Sequence, residues 1–283
     1  MTGESGLQGA PRIDYLCRLA GVSRAGYYRH LEQKAPARAD TDLRAAIHLI
    51  ALEHKHYGYR PMTKALKWDG IEVNSKRVRR LMGEDNLLAL RKKAFIPKTT
   101  DSHHSFRIAP NLIRHLIPTG LDQIWVADIT YIRLAEAFAY LAIVLDAFSR
   151  RMIGWALEEH LRAELPLAAL QMAIQARRPP PNSLIHHSDR GVQYASNEYT
   201  KCLEDNAIRA SMSTAGNPYD NAKAESFMKT LKKEEVDARI YPTLQEAKQD
   251  IGVFLEKTYN RQRLHSALGY RPPATFETRL LKP

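Results

Sequence analysis

Asp128, Asp189 and Glu225 are the side chains of this 283-residue sequence whose type and setting could do chemistry. Asp128 lies inside the apolar run Ile124-Trp125-Val126-Ala127-Asp128-Ile129-Thr130-Tyr131-Ile132, and Asp189 closes Leu184-Ile185-His186-His187-Ser188-Asp189. Glu225, separated from Asp189 by 35 residues, sits in the helix-like Asn221-Ala222-Lys223-Ala224-Glu225-Ser226-Phe227-Met228. A carboxylate in mid-strand is costly to bury unless a cation or donor satisfies it, and three converging acids repel one another. Divalent metal resolves both problems. Mg²⁺, or Mn²⁺ as a substitute, takes a few carboxylates and fills its other positions with water and phosphate. Two such ions ~3.5 to 4 Å apart suit attack on a phosphodiester, one activating the nucleophile and one stabilising the leaving oxygen. Asp128 would bridge both ions, Asp189 would bind one and Glu225 the other. Each acid alone reads more simply as a cap or surface charge; the combination is the signal.

Such a site needs rigid elements. Gln123 to Ile132 is apolar on both faces, as a central strand is. Phe138 to Asp146 and Met152 to Leu157 follow closely enough to pair with it as antiparallel neighbours. Helices are predicted over 165–175, 196–205, 221–235 and 244–259, and further strands over 183–188 and 207–212. Three strands, then helix, strand, helix, strand, helix is the order of an α/β ribonuclease-H-like core, a mixed five-stranded sheet with flanking helices. On the Glu225 helix, Ala224, Phe227, Met228 and Leu231 make one apolar stripe, while Asn221, Glu225, Lys229 and Lys232 form a second line roughly 90° away. Asp220 is placed to cap that helix, after a Gly216-Asn217-Pro218 turn.

The first part of the chain has a different character. Residues 1 to 118 hold 21 basic and 11 acidic side chains, a net of +10, so nearly all of the +11 total lies there and points to a polyanionic partner. Residues 12 to 31 outline a helix-turn-helix, broken at Gly21 and capped again at Ser23; Gln33 to Asp40 reads as a linker. Thr41 to Glu53 begins a second helical unit, Pro61 suits the first turn of a helix to about Trp68, and Asp69-Gly70 ends it. Asn74 or Ser75 caps a further helix with Val78, Leu81 and Met82 on one face and Lys76, Arg77, Arg79 and Arg80 around the rest. That helix is the candidate for a DNA groove. The division is therefore 1–35 (helix-turn-helix-like), 41–90 (accessory helical, DNA-binding), 91–118 (basic linker with Lys92, Lys93, Lys98, His103 and His104) and 119–283 (catalytic core with a helical tail), so that small all-helical units precede the α/β core.

No stretch approaches the roughly 20 apolar residues of a membrane helix, and the N-terminus has no secretory pattern, so a soluble cytoplasmic protein is expected. Cys17 and Cys202 have no partner at metal-ligand spacing, which argues against a disulfide framework or zinc ribbon. The His103/His104 and His186/His187 pairs read as surface or hydrogen-bonded residues, Trp125 and Tyr131 as core, Asp146 as a strand-end turn, and Cys202 as a small buried hydrophobe.

The segments Trp125-Val126-Ala127-Asp128-Ile129-Thr130-Tyr131, His187-Ser188-Asp189-Arg190-Gly191-Val192-Gln193-Tyr194, and Asn217-Pro218-Tyr219-Asp220-Asn221-Ala222 through Glu225-Ser226-Phe227 resemble the DDE acid triad of bacterial insertion-sequence transposases related to retroviral integrases. The similarity is to the insertion-sequence-three family, second reading frame. Its motifs are also met by the 35-residue spacing, Lys232 seven residues after Glu225, Tyr57-Gly58-Tyr59-Arg60, and the ending Tyr259-Asn260-Arg261-Gln262-Arg263-Leu264-His265-Ser266-Ala267-Leu268-Gly269-Tyr270-Arg271-Pro272-Pro273. The resemblance implies metal-dependent cleavage of one strand at the element's ends and transfer of the freed 3′-hydroxyl to target DNA. It also implies double-stranded DNA as partner, a homo-oligomer on that DNA, possible assistance from the upstream reading-frame product, and nucleoid association in a bacterial cytoplasm. Lys229 and Lys232 are then DNA contacts beside the acids. A DNA-binding protein descended from such an enzyme, or a nuclease of the same fold, would carry the same residues.

Overall fold

A computed structural model describes residues 13–31, 38–87, 106, 108–214 and 221–281. The expected turn at Gly216-Asn217-Pro218, the Asp220 cap and the linker residues Lys92, Lys93, Lys98, His103 and His104 lie outside these; from 108 to 118 the chain forms no strand or long helix. The chain divides into two compact units, Met1–Leu49 and Ile50–Pro283. In the first, α1 (Ile13–Leu19) and α2 (Arg24–Leu31) are separated by Gly21, whose φ of 64° is a left-handed turn that favours glycine. An exposed Asp14–Arg24 ion pair at 2.9 Å adds little to this hairpin. α3 (Arg38–Glu53) runs across the division. It takes in Arg38 to Asp40, which the sequence reading gave to a linker: no breaker follows Pro36, and Asp40 complements the helix dipole in the first turn.

The second unit opens with α4 (Tyr59–Trp68) and α5 (Ser75–Glu84). Gly70, at φ 81°, stops α4, and the Asn74 side chain accepts the Lys76 N–H at 2.8 Å to start α5. Val78, Leu81 and Met82 are buried, and Lys76, Arg77, Arg79 and Arg80 are exposed.

The sheet follows, with β1 (Ile124–Arg133), β2 (Phe138–Asp146), β3 (Met152–Glu158), β4 (Ile185–Ser188) and β5 (Arg209–Met212) in the order β3-β2-β1-β4-β5. β1 to β3 are antiparallel neighbours, and β4 and β5 add in parallel. This is the mixed, ribonuclease-H-like sheet that the element order implies. Alternation along β1 sends Val126 and Ile132 to one face, packed under α8 (Ala222–Glu234) and α9 (Leu244–Val253). Trp125 and Ala127 go to the other, under α6 (Glu164–Arg177) and α7 (Asn197–Asp205). α6 rides directly on β3, because a Cβ at Gly154 would fall 2.1 Å from the Ala169 carbonyl oxygen.

Two features of the tail are absent from the sequence reading. The single helix expected over 244–259 is α-helical only to Val253 and continues as a π-helix, Phe254–Gln262. Its buried residues Phe254, Leu255, Tyr259 and Asn260 recur at i, i+1, i+5 and i+6, the spacing of i→i+5 winding. Asn260 holds the stretch to β3, accepting from Met152 N–H at 3.0 Å and donating to Met152 O at 2.8 Å. Then α10 (Pro273–Leu280) brings Glu277 into the interior, where it accepts from Ser149 Oγ (2.6 Å), Arg151 Nη1 (2.5 Å) and Arg177 Nη2 (2.5 Å). Burial alone would raise the Glu277 pKa; the bonds from Arg177 and Ser149 outweigh it and hold it below the usual value.

Removing Glu277 from this cluster leaves two partly buried arginines and the buried Ser149 hydroxyl without their acceptor. Glu277→Ala should lower the unfolding free energy by about 3 kcal/mol in chemical denaturation at pH 7. A folded pKa below the unfolded one means this stabilisation is present above the unfolded value and is lost as pH falls through the folded value. A loss under roughly 0.5 kcal/mol, the size of an ordinary surface change, would show that the cluster does not hold α10.

Candidate active site

Parallel pairing of β1 with β4 sets two of the acids side by side. Val126 lies opposite His187, and continuing that register by two residues carries Asp128 to Asp189. Both project from neighbouring strands at the edge where β4 ends. The β4 end is fixed from below: His187 bonds to Ser211 Oγ at 2.9 Å and Ser213 Oγ at 3.1 Å, and His186 Nε2 lies 3.0 Å from Tyr199 Oη. Burial, then the His187 ring, lowers the His186 pKa to about 3. Both histidines of this pair are therefore buried and hydrogen-bonded, whereas His103 and His104 lie outside the described residues.

Asp128 accepts its neighbour Ile129's N–H at 2.9 Å, and Asp189 accepts the Gly191 N–H at 2.9 Å. A Cβ on Gly191 would sit 3.0 Å from the same Asp189 oxygen, so the absent side chain leaves room for this turn. Glu225 stands on α8 at the border of its buried stripe, with Ala224, Phe227, Met228 and Leu231 all buried. It pairs weakly with the exposed Lys229, 3.8 Å away.

The Asp128 carboxyl is pushed up to about 7 by burial first and by the Asp189 and Glu225 charges next, against the pull of the Ile129 N–H and of Lys232. The three acids and Lys232 thus share one electrostatic field. Lys232 lies over the Tyr131 ring, 4.1 Å from its centroid, with its pKa lowered by burial and drawn back by Asp237 and Asp128. Tyr131 is half-buried between Lys232 and an edge-on Phe138, not a core residue as the sequence suggested. Trp125 is fully buried, with its indole N–H on Asp122 at 2.9 Å. Asp146 is buried and accepts the Asp122, Phe148 and Ser149 N–H groups, the strand-end turn expected of it. Cys202 is partly buried against the core beneath α7. Lys76, Arg77, Arg79 and Arg80 lie on α5, where Arg80 pairs with Glu84 at 2.8 Å and Arg79 covers the Tyr59 ring at 5.6 Å.

Two residues that the sequence reading left without a role adjoin the acids. Asn221, at the start of α8, is buried and donates from Nδ2 to Ala127 O at 3.1 Å, tying the Glu225 helix to the strand one residue before Asp128. Its Oδ1 has no hydrogen-bond partner among the described residues. Tyr194 is buried against Tyr199, its hydroxyl likewise unpartnered, and burial, Tyr199, Asp189 and Asp128 all raise its pKa. Both stand in the quoted motifs, but nothing in their residue type announces a buried oxygen. Among the described residues no three His, Cys, Asp or Glu side chains form a ready group around one ion. The donor chemistry nevertheless fits Mg²⁺: carboxylate oxygens on two adjacent strands and a helix, with two orphaned buried oxygens alongside, are hard ligands and partners for its bound water.

Residues 118–218 and 206–273 match integrase core domain families, and residues 37–95 match an HTH-like domain family. The chain is 39% identical over 266 residues to an uncharacterized 31 kDa protein of insertion element IS600 from Shigella sonnei, covering 92% of this chain and 97% of that protein. It is 32% identical over 275 residues to the transposase InsF of insertion sequence IS3A from Escherichia coli, covering 95% of each. The chain belongs to the insertion-sequence-three transposase family. The catalytic core of an HTLV-2 integrase in complex with magnesium is also similar, at 17% identity and a TM-score of 0.43, over 55% of this chain and 95% of that one. Within the transposase family the integrase core match ends at residue 218 in one family and resumes from 206 in the other, so the three acids are divided between them. No helix among the described residues is long and apolar enough to cross a membrane.

The field around Asp128 has a consequence for stability without metal. Its folded pKa of about 7 exceeds the ordinary 3.8, so between these values the folded state binds more protons and stability falls as pH rises. Asp128→Asn removes this loss. In EDTA the variant should match the parent below about pH 4 and exceed it at pH 8 by up to about 4 kcal/mol, less what solvent access trims. Equal denaturation midpoints at pH 8 would show that Asp128 is not held in this field.

Proposed function

We propose that the protein is a DDE transposase that cleaves DNA strands at insertion-sequence ends and transfers the freed 3′-hydroxyl to target DNA. The observation that carries this reading is the placement of Asp128 opposite Asp189 with Glu225 in the same field, in a chain of this family. Asp128, Asp189 and Glu225 hold the metal, for which two Mg²⁺ ions are expected with Mn²⁺ as substitute. When bound, the metal activates the attacking oxygen and stabilises the charge on the leaving one. Asp128 must first give up the proton that its surroundings favour near neutral pH. Asn221 keeps α8, and so Glu225, at a set distance from β1. Gly191 holds Asp189 in place through its N–H on Oδ1. Lys232, leaning on Tyr131, and the exposed Lys229 stand beside the acids as contacts for the reacting strand, and positioning rather than proton transfer is their part. Exposed Lys76, Arg77, Arg79 and Arg80 on α5 bind the duplex outside the catalytic core, in the manner of a helix-turn-helix. The partner is double-stranded DNA, both end and target. The working form is a homo-oligomer on that DNA, with the upstream reading-frame product as a further partner, in the cytoplasm at the nucleoid.

With labelled end duplexes, target DNA and Mg²⁺, the parent should give both nicked and joined products. Asp128→Asn, Asp189→Asn and Glu225→Gln should each reduce both by about three orders of magnitude or more while binding duplex nearly as before. Joined products separate transposition from simple hydrolysis; nicking without joining would favour a nuclease. Full turnover in any one variant would remove that residue from the site. Lys232→Ala should lose activity through mispositioned DNA, recovering in part at low salt or high DNA concentration, with Mn²⁺ binding unchanged. Loss of Mn²⁺ binding as complete as in Glu225→Gln would contradict that role.

A further inference from the structure

The motifs Tyr57-Gly58-Tyr59-Arg60 and Leu264-His265-Ser266-Ala267-Leu268-Gly269-Tyr270 have no part in the acid site, yet the fold brings them together. Tyr57 Oη accepts the Leu264 N–H at 3.1 Å, and Lys64 lies 5.6 Å from the Tyr270 ring centroid. Between them and α8 opens a cleft of about 430 Å³, lined by Arg60, Arg150, Lys223, Arg263, His265 and Ser226 among others.

The charge in this cleft is unbalanced. Arg263 is neutralised by a bidentate bond to Glu234 at 2.9 Å. Among the described residues, Arg60, Arg150 and Lys223 have no carboxylate partner, and Asp146, the acid that Lys223 senses, is already engaged by three backbone N–H groups. Burial lowers the Arg150 pKa, so this cation has lost part of its water without gaining an anion. His265 adds a ring Nε2 that is buried and unpartnered; burial, then Arg263 and Arg150, lower its pKa to about 3. Backbone strain collects at the same place. Among the described residues seven non-glycines have positive φ, and two of them, Arg150 (61°) and Tyr270 (59°), line this one cleft. Left-handed backbone in such residues costs of order 1 kcal/mol and gathers where a ligand is clamped.

We infer that this cleft is a second DNA-contact site, in which Arg60, Arg150 and Lys223 hold a backbone phosphate of the duplex whose reacting strand lies at Asp128, Asp189 and Glu225. The inference rests on the transposase reading and extends it to a surface on the other flank of α8. Lys223, Ser226 and Thr230 face the cleft while Glu225 and Lys232 face the acids, at about 100° per residue around the same helix. A helix is about 10 Å across, and one strand spaces its phosphates ~3.4 Å apart along the axis, so a single duplex lying across α8 reaches both flanks within about three nucleotides. A phosphodiester supplies what the cleft lacks: one negative charge and acceptor oxygens for guanidinium and ammonium donors.

The test is duplex binding by the full chain in EDTA, where no turnover occurs, over about 50 to 200 mM salt. Arg60→Gln, Arg150→Gln and Lys223→Gln should each weaken binding and make the slope of log K against log salt shallower, and all three together by about 0.9. Arg150→Lys keeps the charge and should keep the slope, which separates lost charge from lost folding. Lys201→Gln, on α7 and outside the cleft, should leave the slope unchanged. Unaltered slopes in all three cleft variants overturn the inference. So does a thermal shift with inorganic phosphate that the variants abolish while their duplex slopes stay at the parental value, since that marks a small-anion site. Failure of the acid site would appear separately, as turnover retained in the triad variants.

Discussion

The pairing of β1 with β4 is the constraint on which the rest depends. Parallel strands place equivalent ends at one edge, and the register Val126 to His187 leaves no freedom over which acids meet there. A slip of one residue would send Asp128 to the α6 face, into the apolar cluster around Trp125 and Ala127. The register is held in turn by apolar packing on both faces of β1 and by the hydrogen bonds beneath β4, so the position of a charged group is fixed by interactions that are themselves neutral.

The third acid is delivered differently. A helix can rotate and slide over a sheet, and the apolar stripe of α8 limits rotation more than sliding. Asn221 supplies the missing restraint with one bond to Ala127 O. The site therefore combines two acids set by sheet geometry with one set by a polar pin, and the orphaned oxygen of that pin faces the same region.

Much of this was legible in the sequence because the period of the apolar residues reports burial directly. A continuous, strand-length apolar run from Phe138 marked β2, and the 3.6-residue stripe identified the buried side of α8. Local glycine and asparagine chemistry gave the turns at Gly21, Gly70 and Asn74. What escaped was set by tertiary partners. Glu277 reads as a surface acid of a short polar segment until Arg151 and Arg177, 126 and 100 residues away, are seen around it. Tyr131 looked like core because alternation assigns a face without showing how deeply that face is covered. Asn221 and Tyr194 sat inside quoted motifs without a role, since residue type alone does not show that an oxygen is buried. The start of α3 was missed for the opposite reason: Arg38 to Asp40 have no strong pattern, and the helix simply extended into them.

The π-helix of the tail has a consequence for how the chain tolerates change in length. Its i→i+5 winding accommodates roughly one more residue per turn than an α-helix does. Losing a residue between Phe254 and Gln262 would let the segment relax to ordinary winding and remain a helix. Everything after it would then rotate by about 100°, swinging Arg263 from Glu234 and His265 from the cleft. An insertion or deletion here would spare the secondary structure and miswire what it carries, so the length of this stretch is a more sensitive property than the identity of most residues in it.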